Sequence, residues 1–71
     1  MTEDALARAQ RHVWEAERHV AHLVRIIEEL ERSPVHGSAA ATARKVLGTL
    51  QESLRLAREH LSMERRERGL E

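Results

Sequence analysis

The chain has 71 residues, enough for one small domain, and its lack of cysteine excludes disulfides and thiolate metal sites. One tryptophan and no phenylalanine or tyrosine leave little bulky material for a core, so self-association is the expected source of stability. Twelve acidic residues balance twelve basic ones, which disfavours attraction to nucleic acid or an anionic membrane through net charge.

Signals for export or membrane insertion are not evident in the sequence. No uninterrupted apolar run approaches the ~20 residues needed to cross a bilayer. The opening stretch MTEDALARAQ lacks the basic and then apolar segments of a secretion signal. We therefore expect a soluble, cytoplasmic protein with no membrane partner.

The first predicted helix covers about residues 3–32. Thr2 is its expected N-cap, with Glu3 and Asp4 well placed for the positive end of the helix dipole. Apolar residues then recur in alternating steps of three and four, a heptad pattern sustained over nearly four repeats. These residues are Leu6, Ala9, Val13, Ala16, Val20, Leu23, Ile27 and Leu30.

The stretch SPVHGS at residues 33–38 predicts a loop, because proline interrupts helices and glycine tolerates turn conformations. Ser38 is the expected N-cap of a second helix over about residues 39–67, and Gly69 lies where that helix would end. The heptad pattern continues in this helix with Ala43, Leu47, Leu50, Leu54, Ala57 and Leu61.

Two helices of similar length with a short connection predict an all-α fold, an antiparallel hairpin that forms one domain over residues 1–71. Val46, Leu56 and Met63 lie to one side of the second heptad row, so the apolar surface is wider than one neighbouring helix can cover. We therefore predict a homodimer in which two hairpins close a four-helix bundle around a twofold axis.

Two stretches carry a resemblance to a known family. RHVWEAERHVAHLVRIIEELE at residues 11–31 and ARKVLGTLQESLRLAREHL at residues 43–61 flank a glycine-containing break. This pattern resembles short uncharacterised helical-hairpin proteins of soil alphaproteobacteria. The resemblance implies a helical hairpin and brings no activity with it.

Trp14 stands off the heptad row, on a face where its neighbours one heptad away are Ala7 and Ala21. A large ring between two small residues can accept a facing helix. We expect Trp14 either to cover a subunit contact or to lie against Arg11 or Arg18 in a cation–π pair. The alternative is an exposed anchor for an outside partner. The candidate dimer or partner contacts are Trp14, Val46, Leu56 and Met63.

Four neighbouring side chains on the first helix form a strip of metal-ligating types: His12, Glu15, His19 and His22. Residues three apart on a helix are neighbours, so this strip can offer two imidazoles to one metal ion. No set of supporting partners is evident, so we predict no metal or cofactor and expect these histidines to edge the core. Were the strip in the dimer interface, protonation near pH 6 would loosen the dimer.

Arginines recur every seven residues on the first helix and suggest a nucleic-acid-binding stripe of Arg11, Arg18, Arg25 and Arg32. Glu15, Glu28 and Glu29 are spaced to pair with them, which is typical of a solvated face. Catalytic motifs are also absent. We therefore predict a non-enzymatic homodimer that binds another protein. RNA binding by a bundle shaped like the plasmid regulator Rop is the alternative.

Overall fold

In the computed structural model, which describes residues 4–69, the chain forms two long helices. Helix α1 spans Ala5–Glu31 and α2 spans Gly37–Glu67, and a single 3-10 turn at Pro34–His36 connects them. No strand occurs between residues 4 and 69. The predicted all-α helical hairpin is confirmed. Neither helix, over this range, is apolar enough to span a membrane.

Helix α1 begins at a carboxylate cap. The side chain of Asp4 accepts a hydrogen bond from the backbone N–H of Ala7 at 2.7 Å, so Asp4 is the N-cap. The predicted cap, Thr2, lies outside the described residues. At the other end, the backbone N–H of Arg32 donates to the carbonyls of Glu29 and Leu30, which closes the last turn.

The connection is shorter than the predicted loop, and Ser38 is not a cap. Pro34 opens the 3-10 turn, and the backbone N–H of His36 donates to the carbonyl of Ser33 at 3.2 Å. This turn leads directly into α2, which begins at Gly37 with no side-chain cap and so contains Ser38 in its first turn. A preceding helical turn orders the backbone where a capping side chain would otherwise act.

The predicted heptad positions form the contact between the two helices. All of them are buried or half-buried, but only four residues of the described chain reach full burial. Two of the four are alanines, which bury little apolar area. The hairpin therefore has a thin core, whose fully buried members are Ala9, Ile27, Ala40 and Leu54.

Ion pairs between the helices mark their antiparallel register along the whole hairpin. One lies near the connection, one midway and one at the open end. All are exposed, and such pairs contribute at most about 1 kcal/mol each, so they set register more than stability. They are Glu31 with Arg44, Glu17 with Arg58 at 3.8 Å and Asp4 with Arg68 at 3.7 Å.

Candidate interaction surfaces

Two of these ion pairs define one flank of the hairpin. Glu17 and Glu31 lie to the same side of the buried row of α1, and their partners Arg58 and Arg44 lie on the matching side of α2. We call this side the paired flank and the opposite side the open flank. Because each helical residue advances by about 100° around the axis, other residues can be assigned to either flank.

A second row on α2 lies about 100° from its buried row, toward the open flank. Its members recur in steps of four and three, and each is exposed. The row contains no aspartate, glutamate, lysine or arginine, so it carries no formal charge when its one histidine is neutral. We call this row the helix-2 stripe, which consists of Thr42, Val46, Thr49, Ser53, Leu56, His60 and Met63.

Three of the four polar side chains of the helix-2 stripe, those of Thr42, Thr49 and His60, have partners within their own helix. Thr42 and Thr49 each donate a hydroxyl hydrogen bond to the backbone carbonyl four residues earlier, at 3.2 and 3.4 Å. This leaves their methyl groups available for packing. Nε2 of His60 lies 3.3 Å from Oε1 of Glu64. Covering the stripe therefore leaves few unsatisfied polar groups, which are the main cost of burying polar residues.

The apolar members of the stripe are among the most exposed large hydrophobic residues of the described chain. Val46 is 47% exposed, Leu56 51% and Met63 54%. The sequence pattern placed these three beside the heptad row, and the structure places them in one continuous stripe. It adds Thr42 and Thr49, which hydropathy alone does not single out. The second run of four-and-three spacing was the signal that could have found them.

Trp14 lies on the outward face of α1. Its side chain is 56% exposed. The guanidinium of Arg18 lies 4.8 Å from the centroid of the indole ring, so the predicted cation–π pair is formed, and Arg18 rather than Arg11 forms it.

The structure separates Trp14 from the other predicted contact residues. Trp14 lies about 140° from the centre of the buried row of α1, on the side of Glu17 and the paired flank. Val46, Leu56 and Met63 lie on α2, toward the open flank and the outer face. A single face of the hairpin therefore cannot present both Trp14 and the helix-2 stripe to one twofold partner.

Two adjoining hollows follow Trp14 along the outward face of α1. The larger has a volume of about 430 Å³ and is lined by Trp14, Glu15, Arg18, His19 and His22. The smaller has a volume of about 170 Å³ and is lined by Arg18, Ala21, His22 and Arg25. Because they share two residues, they form one shallow depression, which we call the Trp14 trough.

The histidine strip does not assemble a metal site. His12, His19 and His22 are exposed, and Oε1 of Glu15 lies 3.6 Å from Nε of Arg11. Within residues 4–69, no three histidine, aspartate or glutamate side chains are arranged to hold a metal ion. The structure instead divides the strip, because His19 and His22 line the Trp14 trough and His12 does not.

The four arginines of the predicted nucleic-acid stripe have different surroundings. Arg11 lies beside Glu15, and Arg32 is the C-cap residue at which α1 ends. Arg18 contacts Trp14, and Arg25 lines the trough with it. The row therefore offers two neighbouring cations at the trough rather than a uniform line of four.

One charged cluster on α2 stands apart from both surfaces. Arg55 donates hydrogen bonds to Glu52 and Glu59, and all three side chains are exposed. The hydrogen bond from Arg55 holds the pKa of Glu52 below its usual value, and the same bond raises the pKa of Arg55. Intrahelical pairs at these spacings support α2 modestly.

Comparison with known proteins adds no relative. No protein-family model, curated protein or solved structure matches the chain. The resemblance to the soil alphaproteobacterial proteins stays a prediction from the sequence.

Proposed function

We propose that the protein is a non-enzymatic interaction module in which two hairpins pair through their helix-2 stripes and close a four-helix bundle. The observation that carries this proposal is the area that one hairpin leaves exposed. The dimer forms the scaffold, and the surface that faces away from it binds another protein.

The exposed area of a single hairpin is larger than a chain of this size normally leaves. Its accessible surface is 5427 Å² for a mass of 8.2 kDa, whereas a compact monomer of that mass exposes about 4,500 Å². The surplus of roughly 900 Å² is close to the ~800 Å² that each partner buries in a standard interface. The radius of gyration, 16.0 Å, also exceeds the ~11 Å typical of a compact chain of this length.

The helix-2 stripe has the chemistry that such an interface needs. Val46, Leu56 and Met63 supply apolar area, and the threonine hydroxyls are already bonded to the backbone. The absence of formal charge from the stripe avoids like-charge contacts when two identical copies meet. A twofold interface brings the same surface of both chains together, so this property favours self-pairing.

Full overlap of two stripes fixes the position of the twofold axis. When α2 packs antiparallel on its own copy, the axis passes the middle member of the stripe, Ser53, which then faces itself. The remaining members pair symmetrically across the axis: Leu56 with Thr49, His60 with Val46, and Met63 with Thr42.

The Trp14 trough, rather than an enclosed pocket, is the feature that supports a binding role without catalysis. It lies on the outside of one helix, and its lining offers no nucleophile with an adjacent general base. Pairing through α2 leaves this face of α1 accessible, so the dimer would present two troughs.

Cysteine cross-linking tests the pairing, since the chain has no cysteine of its own. We expect Ser53→Cys to form a disulfide-linked dimer under mild oxidation, because a disulfide requires Cα atoms within about 7 Å. Gln51→Cys is the matched control, because Gln51 is also exposed but lies on the paired-flank side of α2. Equal cross-linking of the two variants, or a monomeric mass with no cross-linking of either, would contradict the proposal.

A further inference from the structure

The Trp14 trough has a defined length and a defined order of side chains. It runs from Trp14 to Arg25, eleven residues along α1, which corresponds to roughly 16 Å at 1.5 Å per residue. Along it lie an indole, a guanidinium, a small side chain and a second guanidinium, contributed by Trp14, Arg18, Ala21 and Arg25. Three turns of a partner helix cover the same distance.

The charges of the trough are unbalanced. Among the residues that the structure describes, neither Arg18 nor Arg25 has a carboxylate within 4.0 Å, whereas Glu15, the one acidic residue of the lining, lies beside Arg11. The guanidinium of Arg18, which lies 4.8 Å from the centroid of the Trp14 ring, carries five N–H donors, more than one ring contact can occupy. The trough therefore presents two guanidinium groups whose positive charge no carboxylate of the trough pairs, since its one carboxylate, Glu15, lies beside Arg11.

The spacing of the two arginines indicates what they can bind. Arg18 and Arg25 are seven residues apart, so their backbones are about 10 Å apart along the axis. Carboxylates seven residues apart on another helix have the same separation. The exposed indole beside them and the small side chain of Ala21 between them leave room for an apolar residue of that helix.

From this juxtaposition we propose that the Trp14 trough binds an acidic amphipathic helix of a partner protein. Carboxylates of that helix accept hydrogen bonds from Arg18 and Arg25, and an apolar side chain between them packs on Trp14. The inference rests on the proposed function, because pairing through the helix-2 stripe, unlike pairing through α1, leaves the exposed trough uncovered in the dimer.

A protein helix fits the trough better than nucleic acid does. Nucleic-acid affinity grows with the number of phosphates neutralised, and here two cations stand on a chain with no net charge. Single-strand binders also stack successive bases on several aromatic rings, whereas this chain has one. RNA binding is thus the rival outcome of the experiment.

The test uses the full chain and a dye-labelled synthetic helix with glutamates seven residues apart and a leucine between them. Fluorescence anisotropy measures the affinity, and the emission of Trp14, the one tryptophan of the chain, reports contact with the trough. We expect the peptide to bind, to shift this emission, and to bind more weakly as salt is added. A matched peptide with lysine for glutamate is expected not to bind.

Variants locate the binding site. Arg18→Gln and Arg25→Gln are each expected to lower the affinity for the acidic peptide about three- to fivefold, the usual effect of one exposed ion pair. Arg55→Gln removes the same charge from α2 and should leave the affinity unchanged. Circular dichroism of every variant checks that the helical content persists, and its mass in solution checks that the dimer persists.

Several results would overturn the inference while leaving the dimer intact: equal binding of the acidic and basic peptides, an affinity indifferent to Arg18→Gln and Arg25→Gln, or an RNA hairpin that displaces the peptide. A monomeric mass for the unmodified chain would instead contradict the proposed dimer. The two failures are therefore distinguishable.

Discussion

Replacement of Leu56 by alanine should weaken the dimer without weakening the hairpin. Leu56 is 51% exposed in the single chain and lies next to the middle of the helix-2 stripe. Burying a whole leucine contributes about 1.5–3 kcal/mol, so covering the remaining half contributes roughly 1 kcal/mol per copy. Two copies change in each dimer, and the loss of roughly 2 kcal/mol corresponds to a Kd about 30 times higher.

Alanine is at least as good a helix former as leucine, so the isolated hairpin should keep its helical content. Sedimentation velocity over a dilution series measures the Kd, and circular dichroism checks the fold. Val35→Ala is the control, because Val35 is 84% exposed but lies in the turn, outside the stripe. An unchanged Kd for the Leu56→Ala dimer, or an equal loss of dimer affinity in Val35→Ala, would contradict a role for Leu56 in the pairing.

Three further predictions concern the hairpin itself. Leu54→Ala should lower the free energy of unfolding by about 2–3 kcal/mol in urea titrations at fixed protein concentration, because it empties a buried position; an effect under about 0.5 kcal/mol would contradict the assigned core. Gly48→Ala should raise the free energy of unfolding by about 0.5–1 kcal/mol, because an added Cβ meets nothing within 4 Å and Gly48 lies off the helix-2 stripe. A lower free energy of unfolding in this variant would contradict that prediction and indicate a close contact at Gly48. Arg55→Gln should raise the pKa of Glu52 toward its usual value in a carbon-detected NMR titration, whereas Arg58→Gln should not, and an unmoved pKa would contradict the hydrogen-bond assignment. Because folding lowers this pKa, the ionised carboxylate favours the helix above the unfolded value, and that contribution is lost as pH falls through the folded value.

The heptad spacing was sufficient to predict the hairpin and its buried face. Residues such as Ile27 and Leu54 recur at intervals that only a helix places on one side, and the structure buries both. Helix ends were harder to predict. Thr2, Glu3 and Asp4 all have side chains that can act at an N-terminus, and the choice of Asp4 depends on which carboxylate or hydroxyl reaches a backbone N–H.

The predicted N-cap of α2, Ser38, is wrong for a related reason. Ser38 is a favourable cap when a helix follows an extended segment. Here Pro34 starts a 3-10 turn that runs into Gly37, so the backbone is already helical at Ser38. The propensity of one residue does not reveal the conformation of the turn before it.

The angular relation between Trp14 and the helix-2 stripe also required the structure. Sequence periodicity gives the angle of each residue around its own axis, but not which flanks of two helices coincide. The contact of Glu17 with Arg58 supplies that information and shows that Trp14 lies toward the paired flank. The four residues predicted as one contact set therefore lie on two surfaces, the Trp14 trough and the helix-2 stripe, for which we propose separate roles.

The decisive measurement for the proposed dimer is the mass of the unmodified chain in solution, determined by light scattering across a range of protein concentrations. Self-pairing through α2 predicts a folded species of about twice 8.2 kDa that dissociates on dilution. A stably helical species whose mass stays at 8.2 kDa up to the highest protein concentration measured would contradict self-pairing.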